Sequence, residues 1–202
     1  MVPHLRVRDL SKLDFASMRA AGIVGLVLDK DNTLTAPYAM EVEPRLRRAV
    51  EQARQTFGSQ NVVVLSNSAG TPDDVGDSAA AAMEAALSLP VMRRREKKPR
   101  GFEGIRAHFG GCSPAKLVMV GDRYLTDVTF GNAHGMLTVH TQMLTPHGDP
   151  FVVKCARRAE AWLARRFTVR GIQPPLHELV SHVASFTKPC SEDDSDGGSE
   201  MY

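Results

Sequence analysis

The chain has 202 residues, of which 43% are hydrophobic, and its formal net charge is +2. This length predicts one domain with an ordinary core, and the near-neutral charge gives no general reason to expect a nucleic-acid partner. The three cysteines are widely spaced and form no Cys-x-x-Cys or Cys/His pattern, which argues against a disulfide framework or a zinc site. No apolar run approaches the roughly 18–20 residues that a membrane-spanning helix needs.

The N-terminal part of the chain leads into an apolar strand that ends in two acids. Residues 1–22 form a partly amphipathic segment, either a helix packed on the domain edge or a segment lying on a membrane surface. Residues 23–28, Ile-Val-Gly-Leu-Val-Leu, are typical of a buried parallel strand. Asp29 and Asp31 follow at once, and a buried carboxylate is costly unless it is paired or bound to a metal.

The rest of the chain alternates between apolar strands and amphipathic helices. Helices are predicted over 43–57, 73–87, 101–109, 126–134 and 151–167, and strands over 61–65, 90–92, 116–120 and 136–140. This alternation predicts an α/β domain over 23–187, with a parallel sheet and helices on both faces. Residues 188–202 are acidic and rich in Ser and Gly, which predicts a disordered tail.

Polar side chains follow the predicted strands. In parallel sheets of this kind, ligands bind beyond the carboxyl ends of the strands, so these residues are expected to lie close together. They are Asp29, Asp31, Ser66, Asn67, Lys98, Asp122 and Asp127.

These residue types suit the transfer of a phosphoryl group. Asp122 and Asp127 provide the oxygen ligands that Mg²⁺ prefers, and Asp29 can share the ion and attack phosphorus with its other oxygen. Asp31, two residues on, lies on the same side of an extended chain as Asp29 and can exchange protons with the leaving group and water. Lys98 can offset the negative charge of the phosphoryl group.

Two further predictions concern the neighbours of these residues. The Ser66 hydroxyl, with Asn67, is expected to bind the oxygens of the substrate phosphate. Strand alternation points Lys30 away from both Asp29 and Asp31, which leaves it outside the predicted chemistry.

Four short motifs, in this order, resemble those of the haloacid-dehalogenase-like (HAD) phosphatases. DKDNT at 29–33 resembles motif I, Ser66 motif II, Lys98 motif III, and GDRYLTD at 121–127 motif IV. The resemblance covers about residues 23–140. It implies a Rossmann-like HAD fold, an aspartyl-phosphate intermediate and a Mg²⁺ cofactor. The ligands that it implies for Mg²⁺ are Asp29, the Asp31 backbone carbonyl, Asp122 and Asp127.

A closer resemblance involves PHLRVRDL at 3–10 and DKDNTL at 29–34. These stretches resemble the mitochondrial-type phosphatidylglycerophosphate phosphatases and their bacterial YqeG-like relatives. The resemblance implies hydrolysis of phosphatidylglycerophosphate to phosphatidylglycerol and phosphate, a step toward cardiolipin. It also implies peripheral attachment at the matrix side of the mitochondrial inner membrane, with a plastid membrane or the cytoplasm as alternatives. A HAD phosphatase for a soluble phosphate ester or a phosphoprotein, and a non-catalytic HAD-like scaffold, stay open as other functions.

Two features of the sequence bear on a lipid substrate. The segments between the motifs are too short for a large cap domain, so a minimal or absent cap and an open site are expected. Basic residues beside Lys98 are expected to contact an anionic phospholipid headgroup or membrane surface; they are Arg93, Arg94, Arg95 and Lys97.

A second basic stretch covers the last predicted helix and contains Lys154, Arg157, Arg158, Arg165, Arg166 and Arg170. Trp162 and Phe167 are candidate interfacial anchors on this helix. A solvated basic helix packed on the core is the alternative. The sequence predicts no oligomeric state.

Overall fold

A computed structural model of the chain describes residues 1–94, 96–98, 100–148 and 151–189. Its centre is a five-stranded sheet with the order β1-β5-β4-β2-β3. The strands are β1 (Leu5–Val7), β2 (Gly25–Leu28), β3 (Val62–Val64), β4 (Leu117–Gly121) and β5 (Leu137–Thr141). All neighbouring strands pair in parallel, which confirms the predicted α/β class.

Helices cover both faces of the sheet because successive side chains of each strand point to opposite sides. Leu26 and Leu28 of β2 join one apolar cluster, whereas Val27 between them joins the other. The helices are α1 (Phe15–Ala20), α2 (Arg47–Phe57), α3 (Ser78–Leu87), α4 (Glu103–His108), α5 (Thr129–Ala133) and α6 (Phe151–Val169). Side chains of α1, α2 and α3 contribute to the first cluster, and those of α4 and α5 to the second.

The N-terminal segment belongs to this same domain. β1, which the apolar pattern did not predict, pairs with β5 at the edge of the sheet. The side chains of Leu10, Leu13 and Met18 are fully buried in the core. Residues 1–22 therefore do not lie on a membrane surface by an apolar face, because that face is already used in packing. β1 escaped prediction because it is only three residues long and half exposed.

The C-terminal part of the described chain closes over the N-terminal segment. A 3₁₀ helix, Val180–Phe186, places the ring of Phe186 in the core. The Asp14 amide donates to the Phe186 carbonyl at 2.9 Å, and the Lys188 amide donates to the Lys12 carbonyl at 2.9 Å. Residue 188, predicted to begin the tail, thus still pairs with the domain, and residues 190–202 lie outside the described part of the chain.

Several predicted element boundaries shift, each for a local reason. The strand predicted over 90–92 is a single bridge between Val91 and Val64. The helix predicted from residue 73 begins at Ser78, because Asp74 accepts hydrogen bonds from backbone amides that include those of Ala79 and Ala80. The helix predicted over 126–134 starts as a π-helical turn, Tyr124–Val128, before α5.

The connections in the described chain contain the sheet-covering helices and no separate cap domain. Between β2 and β3 lies one long helix, α2, and between β3 and β4 lie α3 and α4. The carboxyl edge of the sheet is consequently not covered by an inserted domain. None of the helices that the structure describes has the length and apolar character needed to traverse a bilayer.

Replacing Phe186 by alanine should lower the free energy of unfolding by about 3–5 kcal/mol, because it leaves a cavity in the core. Urea unfolding followed by circular dichroism measures this change. Phe151→Ala is the matched control, since that ring is 78% exposed and its loss should change stability by less than about 0.5 kcal/mol. Equal effects of the two substitutions would contradict the docking of the C-terminal segment.

Candidate active site

Three carboxylates meet at the carboxyl edge of neighbouring strands. Asp29 directly follows β2, Asp122 directly follows β4, and the Asp29 amide donates to the Val120 carbonyl at 2.8 Å. Asp127 lies on the π-helical turn after β4. Each of the three acids offers an oxygen within 4.8 Å of the others. The structure thus brings together the acids that the sequence placed after separate strands.

Lys98 lies between two of these acids. Its ammonium donates to Asp29 Oδ1 and, at 2.5 Å, to Asp127 Oδ1. The Lys98 side chain is 1% exposed, so both ion pairs are shielded from water. The backbone amide of Lys98 donates to Asn67 Oδ1 at 3.0 Å, and this bond anchors the lysine's loop to the end of β3.

The site has more negative charge than its lysine offsets. Burial raises the pKa of Asp29 to about 7, although Lys98 lowers it, and the Asp127 carboxylate contributes to the rise. Burial, with Asp29 and Asp127, raises the pKa of Asp122 to about 8. Asp122 Oδ1 is buried and has no hydrogen-bond partner among the described residues. Clustered carboxylate oxygens of this kind fit a divalent cation, which would lower both pKa values.

Gly121 makes this close packing of carboxylates feasible. A Cβ atom at this position would lie 2.4 Å from the Cγ atom of Asp127. Only a residue without a side chain therefore lets β4 end beside the Asp127 carboxylate. The Arg123 amide, at 3.1 Å, then donates to Asp127 Oδ2 and holds it there.

Asp31 lies at the mouth of the site and Lys30 lies beside it, contrary to prediction. Lys30 is only 2% exposed, and its ammonium donates to Asp31 Oδ1 at 2.8 Å. The Tyr38 amide donates to the same oxygen at 3.0 Å. The expectation that Lys30 points away from Asp31 is wrong, because β2 ends at Leu28 and strand alternation does not extend into the turn.

The two residues predicted to bind phosphate occupy different positions. Ser66 is buried, and its hydroxyl accepts hydrogen bonds from the amides of Ser68 and Ala69 at 3.1 and 3.4 Å. Asn67 instead lines the cavity beside Asp29, together with Ser68. Phosphate binding by Ser66 and Asn67 stays a prediction. The side-chain oxygen of Asn67 already accepts the hydrogen bond from the Lys98 amide.

The position of Arg94 contradicts the expectation that this residue contacts a lipid headgroup or membrane surface beside Lys98. It is 7% exposed, and its guanidinium donates to the Ser66 carbonyl at 2.6 Å. Burial lowers the pKa of Arg94 to about 10. This arginine therefore braces the loop after β3 from inside the protein and does not face a membrane surface.

The other members of this basic run differ from Arg94. Arg93 forms an ion pair with Glu84, and Lys97 forms one with Asp73. Their charges are partly exposed but largely balanced by these acids. Arg95 lies outside the described residues. The described part of the run is thus a weaker candidate for membrane contact than its composition indicated.

Helix α6 supplies residues that the sequence did not assign to the site. Arg157 donates to Asp122 Oδ2 at 2.5 Å, although the sequence places it in the second basic stretch. Arg123, at the site, donates to Glu160 Oε1 at 2.5 Å and so ties the site to α6. Glu160, an isolated acid on a basic helix, is the sequence feature that could have indicated which face of α6 packs against the site. The cavity is lined by Asp29, Asp31, Pro37, Tyr38, Asn67, Ser68, Arg123, Thr126, Val153 and Arg157.

Substituting Asp122 by asparagine should weaken the binding of a divalent cation by at least about tenfold, because it removes one of the three clustered carboxylates. The rise in melting temperature on adding Mg²⁺ and isothermal titration calorimetry measure this binding. Asp73→Asn is the matched control, since Asp73 is exposed and pairs with Lys97. Unchanged affinity in the Asp122 variant would show that the ion binds elsewhere.

Substituting Gly121 by alanine should destabilise the fold by about 1–3 kcal/mol through overpacking against Asp127. The double variant Gly121→Ala/Asp127→Ala should recover part of this loss, because it removes the contacted side chain. Urea unfolding of both single variants and the double variant gives the coupling between the two positions. Strict additivity would contradict the contact.

Comparison with known proteins supports a family assignment. Residues 1–144 match the family described as "Mitochondrial PGP phosphatase". "Phosphatidylglycerophosphate phosphatase 1, chloroplastic" of Chlamydomonas reinhardtii is 50% identical over 191 residues, which cover 93% of this chain and 70% of that protein. "Phosphatidylglycerophosphate phosphatase 1, chloroplastic/mitochondrial" of Arabidopsis thaliana is 43% identical over 194 residues.

The match to the Arabidopsis protein covers 95% of this chain but only 55% of that protein, so the chain spans about half of its length. "Probable phosphatidylglycerophosphatase, mitochondrial" of Schizosaccharomyces pombe is 31% identical over 161 residues, which cover 77% of this chain and 75% of that protein. The family match covers most of the chain and includes Asp29, Lys98, Asp122 and Asp127. On this match, the chain belongs to the mitochondrial PGP phosphatase family.

Proposed function

We propose that this protein is a phosphatase that hydrolyses phosphatidylglycerophosphate to phosphatidylglycerol and inorganic phosphate. The observation that carries this proposal is the arrangement of Asp29, Asp122, Asp127 and Lys98 at one edge of the sheet. Relatives that are 31–50% identical have names that state this activity. The uncapped edge of the sheet also suits a bulky lipid headgroup.

Asp29 is the proposed nucleophile. One oxygen of its carboxylate forms a bond to phosphorus while the bond from phosphorus to the glycerol oxygen breaks, which gives an aspartyl phosphate and an alkoxide. The Lys98 ammonium contacts Asp29 Oδ1 and lies where it offsets negative charge on the transferred group. Water then attacks phosphorus, releases inorganic phosphate and regenerates Asp29.

Asp31 is the proposed acid and base. It gives a proton to the departing alkoxide in the first step and takes one from the attacking water in the second. The bonds from Lys30 and the Tyr38 amide both end on Oδ1. Oδ2 has no protein partner among the described residues, and we assign the proton transfers to this oxygen.

Asp122 and Asp127, with Asp29, would hold Mg²⁺, and the Asp31 backbone carbonyl is proposed as a further ligand. Mg²⁺ at this site would offset charge on the carboxylates and the phosphoryl oxygens, so that nucleophile and substrate can approach. Asp122 Oδ1, which is buried and has no partner in the part of the chain that the structure describes, supports an ion at this position. Arg157 holds the other oxygen of Asp122 and limits how that carboxylate can turn.

We further propose that the reaction takes place at the matrix face of the mitochondrial inner membrane or at a plastid membrane. The names of the relatives include both mitochondrial and chloroplastic proteins. The substrate itself, a phospholipid, resides in such a membrane. Phosphatidylglycerol formed there would serve cardiolipin synthesis.

A substrate panel tests the proposed function. The protein with Mg²⁺ should release phosphate from phosphatidylglycerophosphate in mixed micelles faster than from a set of sugar phosphates, nucleotides and phosphopeptides. Asp29→Asn should lower the rate on every substrate by roughly 10³-fold or more, because it removes the nucleophile. The control Asp73→Asn should keep the wild-type rate. Faster turnover of a soluble ester would overturn the lipid assignment, and full activity of Asp29→Asn would overturn the covalent mechanism.

A further inference from the structure

Helix α6 has an inward face that belongs to the active site. Ala164 and Glu160 are buried, and Glu160 pairs with Arg123. Arg157 reaches Asp122, and Val153, one turn earlier on the same face, lines the cavity. These contacts fix the helix against the phosphatase domain, so its opposite face has a defined orientation.

The outward face of α6 carries a stripe of exposed apolar side chains. Phe151, Trp162 and Val169 are 78%, 61% and 80% exposed. They are separated by 11 and 7 residues. At about 100° per residue, these spacings place all three within about 20° of one line along the helix. Large apolar side chains that are exposed to solvent along one side of a helix indicate an interaction surface.

Arginines flank the apolar stripe on both sides. Arg158, Arg165 and Arg166 are exposed and fall within about 60° of the same line. Among the residues that the structure describes, none of these three arginines forms an ion pair. The guanidinium of Arg166 lies over the Trp162 ring, 5.4 Å from its centre. This basic surface, unlike the run beside Lys98, keeps its charge available.

We propose that this outward face of α6 docks on an anionic phospholipid bilayer. A helix with arginines around an apolar stripe that contains tryptophan has the composition of helices that lie in the membrane interface. The positive charge complements anionic headgroups, and the stripe complements the outer acyl region. The inference rests on the proposed function, since it places the lipid surface on one side of the helix and the phosphoryl site on the other.

Trp162 is the only tryptophan of the chain, so its fluorescence reports on this surface alone. Vesicles of phosphatidylglycerol and phosphatidylcholine should shift its emission to the blue, and brominated acyl chains should quench it. Vesicles of phosphatidylcholine alone should give neither effect. Flotation of the protein with anionic vesicles without shift or quenching would place the contact elsewhere and overturn the assignment. No flotation at all would overturn the bilayer as partner and favour an acidic protein surface.

A charge-reversal pair tests the arginines. The triple variant Arg158→Glu/Arg165→Glu/Arg166→Glu should bind anionic vesicles at least about 100-fold more weakly, since the loss of each arginine costs about fivefold and the glutamates add repulsion. The matched control Arg45→Glu/Arg47→Glu/Arg48→Glu changes the net charge equally at exposed positions near the start of α2 and should bind within about threefold of wild type. Equal losses in both variants would show a general charge effect and overturn the proposed surface.

Hydrolysis of p-nitrophenyl phosphate separates this inference from the proposed function. The α6 triple variant should hydrolyse this soluble ester at the wild-type rate while losing turnover of phosphatidylglycerophosphate in vesicles. Vesicle turnover equal to wild type would overturn the docking surface alone. Absence of activity on both substrates in the wild type would refute the proposed function, and the fluorescence and flotation results would still decide the docking surface.

Discussion

The excess of negative charge at the carboxyl edge of the sheet is the constraint around which the site is built. Three carboxylates have oxygens within 4.8 Å of one another, and Lys98 is the ammonium that contacts two of them. Burial strengthens the repulsion and raises the pKa values of Asp29 and Asp122. Such a cluster is stable when a divalent cation adds the missing positive charge. The geometry of these three carboxylates therefore fits a divalent cation.

Several contacts hold this cluster of carboxylates in place. Gly121 lets Asp127 approach the end of β4, and Asn67 anchors the loop that carries Lys98. Arg94 braces the neighbouring loop through the Ser66 carbonyl. The contacts of these residues make the site rigid. Because electrostatic catalysis depends on preorganised groups, these contacts support the chemistry proposed for the acids.

Helix α6 lies between the candidate active site and the outside of the molecule. Its inward face contributes Arg157 and Val153 to the cavity, and its outward face exposes aromatic and basic side chains. One helix thus contributes to the cavity on one side and presents exposed aromatic and basic side chains on the other. Within the basic run beside Lys98, Arg94 instead supports the loop after β3 from inside the protein.

The sequence by itself determined the parallel sheet and the residues at its carboxyl edge. An apolar run that ends just before Asp29 or Asp122 predicts a buried strand and places the acid at its carboxyl end. Both features are local in the sequence, so they can be predicted without the tertiary structure. Only the tertiary structure decided which charges are neutralised, because ion pairs such as Lys97–Asp73 and Arg157–Asp122 join residues far apart in the chain. It also decided that the Lys30 side chain turns toward Asp31. The strand ends at Leu28, so the alternation of side chains that a strand pattern predicts does not apply to Lys30.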